Sequence, residues 1–483
     1  MIRSLFLISI VFLLASLVNR TSAQEMWGLS GSNYAGQMGL ELNPASIAAA
    51  PYRNEFHILS FDQALMNNYL YLRKNSKVLK NGFKSEANGD EKLMTNDSED
   101  DKQAYASGFV KLPGFIHSGK KFSFAFHTSV RLEASAANVP SHLAGNLKDG
   151  FDPAPQGSAA YQIRDLSIGL LNWNSIGGSV AMVLLNQPKS FFTAGLSLNY
   201  NYGLHGAFVT IDHASYALPA DTLPVLESLS GSYGYALPSE GGISAADLLT
   251  NRGSGWSTSI GMQYIRNRNE EFYNPCKEAP DGKPYDWKLG ISLLDAGYIR
   301  FNNQASAYRF DVRGADWFGF DTTNLDGSMN SDSVINAQLN GIYDPSLLRS
   351  SFTMYLPAAA SLQFDWALKQ HYFINFSILQ GIPAGENAIR RSSQIAVTPR
   401  FETRGFEISL PVSLYDYFRP RMGLGVRVGA FSLGTDMPGA LLGITDAYGA
   451  NVYFGVSIKN FGKCADGKGG RKPRMKENLI PLN

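Results

Sequence analysis

The residue types that most often do chemistry are sparse here and poorly spaced. Seven histidines and two cysteines occur in 483 residues. None falls into a His-Glu-x-x-His helix, a Gly-x-Ser-x-Gly elbow, a Cys-x-x-Cys pair or a Walker loop. Gly423-Leu-Gly425-Val-Arg-Val-Gly429 comes near a nucleotide fingerprint, but it lies in an alternating strand pattern and opens no helix. Its glycines read as residues that make room. Asp321–Asp332 resembles a calcium loop. With Gly327 as the central glycine, however, position one is Thr322 and position twelve is Ser333, which breaks the pattern. The acidic stretch Glu86–Asp101 reads as a solvated loop, with cation binding as the weaker alternative. Three residues remain. His127, Arg131 and Glu133 share one face of one strand pattern and suit a polar network in a wet interior. The expectation is no enzyme activity, no metal and no cofactor.

The elements that must carry these residues are strands. In Lys121–Ser135 one face carries Phe122, Phe124, Phe126, Thr128, Val130 and Leu132, and the other carries Ser123, Ala125, His127, Ser129, Arg131 and Glu133. In Phe191–Leu204 the apolar face runs from Phe192 through Leu196, Leu198 and Tyr202 to Leu204, against Thr193, Ser197, Asn199 and Asn201. Trp256–Tyr264 repeats the rule. Soluble sandwiches also alternate, but their strands average about 5–6 residues. Several runs here pass ten residues and are rich in aromatics, as a barrel with lipid outside and water inside requires.

About 14 such strands are predicted by this pattern, each of roughly membrane-spanning length. One begins near Ala305, and the last two begin near Pro420 and Ala450. Alternating short turns and long loops give a consistent up-and-down order in the first half. The order then conflicts at Gly314–Ser350, a long connection that falls on the short-turn side of the count.

Composition agrees with this class. The formal net charge is +1, which argues against a nucleic-acid partner. Aromatics make up 12% of the chain, with 47 glycines, and the mean hydropathy is −0.13, too low for a helical membrane protein. Met1–Ala23 reads as a signal peptide, with Arg3, an apolar Leu5–Val18 and a small-residue Thr21-Ser22-Ala23 cleavage site. Cys276 and Cys464 are too few to define a disulfide framework, and their pairing stays open. Residues 462–483 read as a basic flexible tail.

Between signal and first strand lies a stretch of small residues, Gly28–Ala48, that ends in Asn43-Pro44-Ala45-Ser46-Ile47-Ala48. Pro44 fixes its own φ and biases Asn43 away from helix, and the Asn43 side chain can close a local turn. An ordinary turn before a strand is one reading of these residues. This segment resembles the start of the long-chain fatty acid transporter (FadL) family and of the PorV-type barrels of Bacteroidota secretion, where it folds into the lumen as a hatch. Leu289–Phe301 (LGISLLDAGYIRF), Leu196–Gly206 and Phe431–Met437 resemble strands of an uncharacterised Bacteroidota outer-membrane barrel family related to PorV and PorP/SprF-type proteins.

The resemblance implies an all-β fold, an antiparallel transmembrane β-barrel of about 14 strands with an N-terminal lumen plug. The expected parts are a signal peptide at 1–23, a plug at 24–53, a barrel at 54–461 and a tail at 462–483. Asn43, Pro44 and Ala45 are the plug or gate candidates, and His127, Arg131 and Glu133 the lumen candidates. The implied function is passage of a hydrophobic or amphipathic small molecule across the outer membrane, whose lipids would surround the barrel. The alternative is a non-transporting partner of a type IX secretion, gliding or adhesin system.

Overall fold

A computed structural model describes residues 26–75, 93–149, 159–218, 225–237, 250–266, 283–318 and 348–461. The expected signal peptide, Cys276, Cys464, the Asp321–Asp332 stretch, the expected tail at 462–483 and residues 86–92 of the acidic stretch lie outside these.

Sixteen strands carry the architecture. In chain order they are β1 (Asn54–Asn67), β2 (Lys102–Lys111 continued by Gly114–Ser118), β3 (Phe122–Val139), β4 (Ala159–Gln187) and β5 (Ser190–Leu218), then β6 (Val225–Ala236), β7 (Gly253–Arg266), β8 (Trp287–Phe301) and β9 (Ala305–Phe318). There follow β10 (Phe352–Tyr355 continued by Ala359–Lys369), β11 (Tyr372–Gly381), β12 (Gln394–Glu402) and β13 (Phe406–Ser409 with Val412–Tyr415). The last are β14 (Arg419–Met422 with Leu424–Val428), β15 (Phe431–Thr435) and β16 (Gly449–Asn460). All except β6 and β9 form an antiparallel ring. Each wall strand pairs with its neighbours, and β1 closes the ring on β16 through Asn54↔Asn460 and Phe56↔Ile458. A closed ring leaves no edge strand with unpaired backbone groups. The fold is therefore a closed 14-stranded barrel.

The count agrees with the sequence reading, but two of its members change. The strand at Ala305 is not in the wall. β9 pairs with β6, which pairs in turn with the outer half of β5, so the two extend the sheet beyond the rim. The inner half of β5 pairs instead with β7, through Gly203↔Gly253 and Ser190↔Arg266. The missing wall strand is β15. At five residues it is too short to stand out by alternation. Removing β9 from the wall places the connection from Phe301 to Phe352 among the long loops, and the conflict at Gly314–Ser350 disappears.

Alternation decides which face is which. Phe124 is 53% exposed on the outside, and Ala125 is 8% exposed on the inside. Leu196, Leu198, Trp256, Ile260 and Met262 also face out, while Thr193, Ser197, Asn201, Ser257 and Ser259 face in. Leu204 breaks the rule and is buried. The ladder runs Asn172↔His205 and then Trp173↔Gly203, so Leu204 is the extra residue of a bulge and the face changes there. Outward aromatics form a girdle at the short-turn end, with Tyr264 on Trp287 at 5.4 Å, Trp287 on Phe364 at 6.0 Å and Tyr372 on Phe401 at 5.2 Å. Tyr200 and Trp256 meet edge-to-face at 4.9 Å at the opposite level. Eight residues of a tilted strand separate Trp256 from Tyr264, roughly 20 Å of height.

On the long-loop side β4 and β5 run for 29 residues each. Helix α1 (Ser141–Asp149) packs Leu143, Ala144 and Leu147 on Ile163, Leu166, Ile211 and Ala214 of that extension. Among the described residues no helix is long and apolar enough to cross a membrane.

Candidate functional site

The lumen is occupied by residues 26–51. They form two short 3-10 turns, Gly36–Glu41 and Pro44–Ala49. Asn43 has an extended backbone with φ −163°, and its side chain accepts a 2.9 Å hydrogen bond from the Ala45 N–H, which starts the second turn with Pro44 in its first position. The Asn43 amide also reaches the wall. Its Nδ2 donates to the Met262 carbonyl at 3.0 Å and to Gln363 Oε1 at 3.1 Å. Gln363 Nε2 donates to the Leu42 carbonyl at 3.1 Å, and Thr193 Oγ1 to the Ala45 carbonyl at 3.3 Å. Asn43, Pro44 and Ala45 thus sit inside the barrel against β5, β7 and β10. Met262 is four residues from the short-turn end of β7, and Thr193 three from that of β5.

Such a segment carries backbone groups that need partners, and the inner wall supplies them. Trp27 Nε1 donates to Gln394 Oε1 at 2.9 Å, Ser118 Oγ to the Ile47 carbonyl at 2.9 Å, and Gln37 Nε2 to the Phe126 carbonyl at 3.0 Å. Close approach also needs small wall residues. A Cβ on Gly195 would lie 2.5 Å from the Ala45 nitrogen, and Gly425 packs directly on the Gly28 backbone.

The three lumen candidates face inward but join different partners. His127 Nε2 meets Ser179 Oγ at 3.0 Å. Glu133 accepts from Tyr105 at 2.5 Å and from Ser107 at 2.8 Å. Arg131 donates to Asp295 at 3.0 Å and to Glu41 at 2.5 Å. Glu41 is the only charged residue among 26–51. It also accepts from Lys111 Nζ at 2.5 Å, and Arg391 reaches Asp295 at 3.4 Å. Burial alone would raise the Glu41 carboxyl, but Lys111 and Arg131 outweigh it and hold it below the usual carboxylate range.

A second charged group lines the short-turn mouth. Arg400 donates to Asp365 at 2.6 and 2.9 Å and to Glu402 at 2.8 Å, and Lys288 donates to Asn33 Oδ1 at 2.7 Å. Glu407 joins Arg427 at 3.0 Å and Ser32 at 2.9 Å. Sequence reasoning did not single out Glu41, Lys111, Asp365 or Arg400, and it met Asp295 only as part of the resembling strand Leu289–Phe301. For Lys111, Asp365 and Arg400 the available signal was a charge at an inward position of an alternating strand; Glu41, in a 3-10 turn, had no such signal.

The remaining space is small. A cavity of about 60 Å³ lies between residues 30–52 and Gln263, Lys288 and Gln363. Two others, about 20 and 50 Å³, share Glu41 and Arg131 as a common wall. Further toward the long loops the inner face turns apolar, with Trp173, Phe208, Ile299, Phe301, Phe352 and Met354 packed together. Among the described residues no cluster of three or more His, Cys, Asp or Glu could hold a metal ion.

Fold and lumen define a plugged β-barrel with an apolar outer band. The chain belongs to the family of unknown function DUF5723, whose model matches residues 44–436. No curated protein matches it. Solved structures with a similar outline include a TodX deletion mutant described as a monoaromatic hydrocarbon channel (10% identity, 88% of this chain and 94% of that one, TM-score 0.40). The toluene transporter TbuX of Ralstonia pickettii is another (9%, 88% and 94%, TM-score 0.38), as is a FadL homologue of Pseudomonas aeruginosa (11%, 91% and 96%, TM-score 0.26). A likeness this remote carries no information about substrate.

Proposed function

We propose that the chain is an outer-membrane barrel that admits a small hydrophobic or amphipathic molecule, with residues 24–53 as its gate. The observation that carries this reading is the layering of the inner face. An apolar tier around Trp173, Phe301 and Met354 lies above a polar tier around Arg131, Asp295 and the Ser175–Asn201 pair, and the plug lies below. A molecule with an apolar body and a polar end meets both tiers in turn. The outer apolar band and its girdles suit a bilayer, and the N-terminal signal peptide would route the chain there. On this reading Asn43, Pro44 and Ala45 are the gate hinge, and His127, Arg131 and Glu133 belong to the path.

A second reading is a non-transporting partner of a type IX secretion, gliding or adhesin system. It is favoured by one observation, that the cavities between plug and wall among the described residues are small, about 60, 50 and 20 Å³. Uptake of a hydrophobic fluorescent compound by whole cells separates the two. Asn43→Ala with Pro44→Ala is expected to change uptake at least twofold while the barrel still assembles. Unchanged uptake in a well-assembled variant would favour the partner reading.

A further inference from the structure

We propose that Glu41 is the latch of the plug, holding residues 26–51 in the lumen through Lys111 and Arg131. This rests on the gate reading above and adds the contact that governs it.

Three observations carry it. First, among the described residues Glu41 makes the only charge–charge contacts between plug and wall. The other contacts include neutral hydrogen bonds, hydrogen bonds between a neutral plug group and a wall charge, the Arg427 guanidinium over the Tyr34 ring at 4.8 Å, and apolar packing. Second, the Lys111 ammonium, only 1% exposed, finds both of its hydrogen-bond acceptors on the plug, the Gln37 carbonyl at 2.7 Å and Glu41 at 2.5 Å. Withdrawal of the plug leaves that buried cation to be rehydrated. A buried charge that loses its partner is among the costliest events in a folded protein. Arg131 differs, because Asp295 still holds it on the wall side when Glu41 leaves. Lys111 is thus the half of the latch that depends wholly on the plug, and Arg131 is a fixed post. Third, the Glu41–Arg131 contact is the partition between the cavities of about 20 and 50 Å³. Breaking it joins them and opens the polar tier toward the long-loop side, where Tyr105, Pro357 and Arg391 line the larger of the two. Glu41 ends the first 3-10 turn and lies two residues before Asn43, so its release frees the segment that leads into the Asn43–Pro44 clamp.

The test is single-channel recording of the full-length protein in planar bilayers at 0.15 M KCl. Heat-modifiable gel migration serves as the assembly check. Glu41→Gln and Lys111→Met are expected to raise open probability at least tenfold over the parent, whereas Lys111→Arg, which keeps the charge, should stay closed. If both neutral variants stay as closed as the parent while Asn43→Ala/Pro44→Ala opens, the latch is wrong and the gate stands. If all of them stay closed, the gate reading fails and the latch falls with it. If opening by Lys111→Arg equals that by Lys111→Met, shape rather than charge holds the plug, and the latch is again wrong. If neither neutral variant assembles, the pair is an assembly element and the latch is overturned.

Discussion

Phe124 and Ala125 are neighbours in sequence and lie on opposite sides of a wall. Phe124 contributes to the outer apolar band, and Ala125 packs inside against Leu40 and Ile47 of the plug and Ile116 of the wall. An arginine on the lipid face costs roughly 2–4 kcal/mol at the bilayer midplane and less toward the interfaces. Phe124 lies two residues from the short-turn end of β3, so Phe124→Arg is expected to cost a part of that and to reduce the assembled, heat-modifiable fraction accordingly. Ala125→Arg enters the apolar contact between wall and plug, where local displacement of the plug lets lumen water hydrate the charge, and it should assemble better. Equal loss in both variants, measured by densitometry of unheated gels, would mean the face assignment is wrong. This pair was legible in the sequence because alternation is a strictly local signal. Leu204 was not. A bulge shifts parity by one residue, and nothing in LSLNYNYGLHG marks where it falls. The contacts of Glu41 were also out of reach, since Lys111 and Arg131 meet it from 70 and 90 residues away along the chain.

At the scale of the element, the plug is set by what the wall leaves out. β5 carries Gly195 between Ala194 and Leu196, and its missing side chain is where the Pro44 and Ala45 backbone rests. Valine suits a strand at least as well as glycine does, so Gly195→Val should not harm β5 itself. Its added atoms must move either the plug or the strand. The strand is fixed on both sides, by Ala181 of β4 and Gly261 of β7. The plug, held by single side-chain hydrogen bonds at this level, is expected to yield. Gly195→Val should then assemble normally and raise uptake of a hydrophobic fluorescent compound, together with faster thiol labelling of a reporter Ser46→Cys. Loss of assembly, with no labelled barrel, would show that the wall yields first. The sequence marked the plug by its small residues and Asn43–Pro44–Ala45. Alternation did not mark β15, because five residues give only two full alternations, although Phe431–Met437 resembled a strand of the barrel family. Nor did it exclude β9 from the wall, because a strand that extends a sheet alternates just as a wall strand does.

At the scale of the whole molecule, the closed ring, the outward apolar band and the charged interior form one arrangement. A soluble sandwich would bury its apolar face between sheets. Here the apolar face points out all around the ring, and the paired charges Asp365–Arg400, Glu407–Arg427 and Glu41–Lys111 point in. That inversion is stable only if the surrounding medium is apolar and the inner faces are mutually satisfied. The plug completes the second condition, since it supplies acceptors to Lys111 and Lys288 and donors to Glu402 and Glu407. Two consequences follow for the intact protein. It should fractionate with the outer membrane and migrate faster unheated than boiled, because a closed ladder resists detergent until heat opens it. The same ladder predicts where protease acts. The wall strands pair on both sides, whereas β6 and β9 stand beyond the rim on the long-loop side. Protease added to intact cells should cut among the connections around β6 and β9 and leave a resistant, still heat-modifiable core. Recovery of the protein in the soluble periplasmic fraction, or digestion through the wall strands under the same conditions, would exclude a membrane-embedded ring.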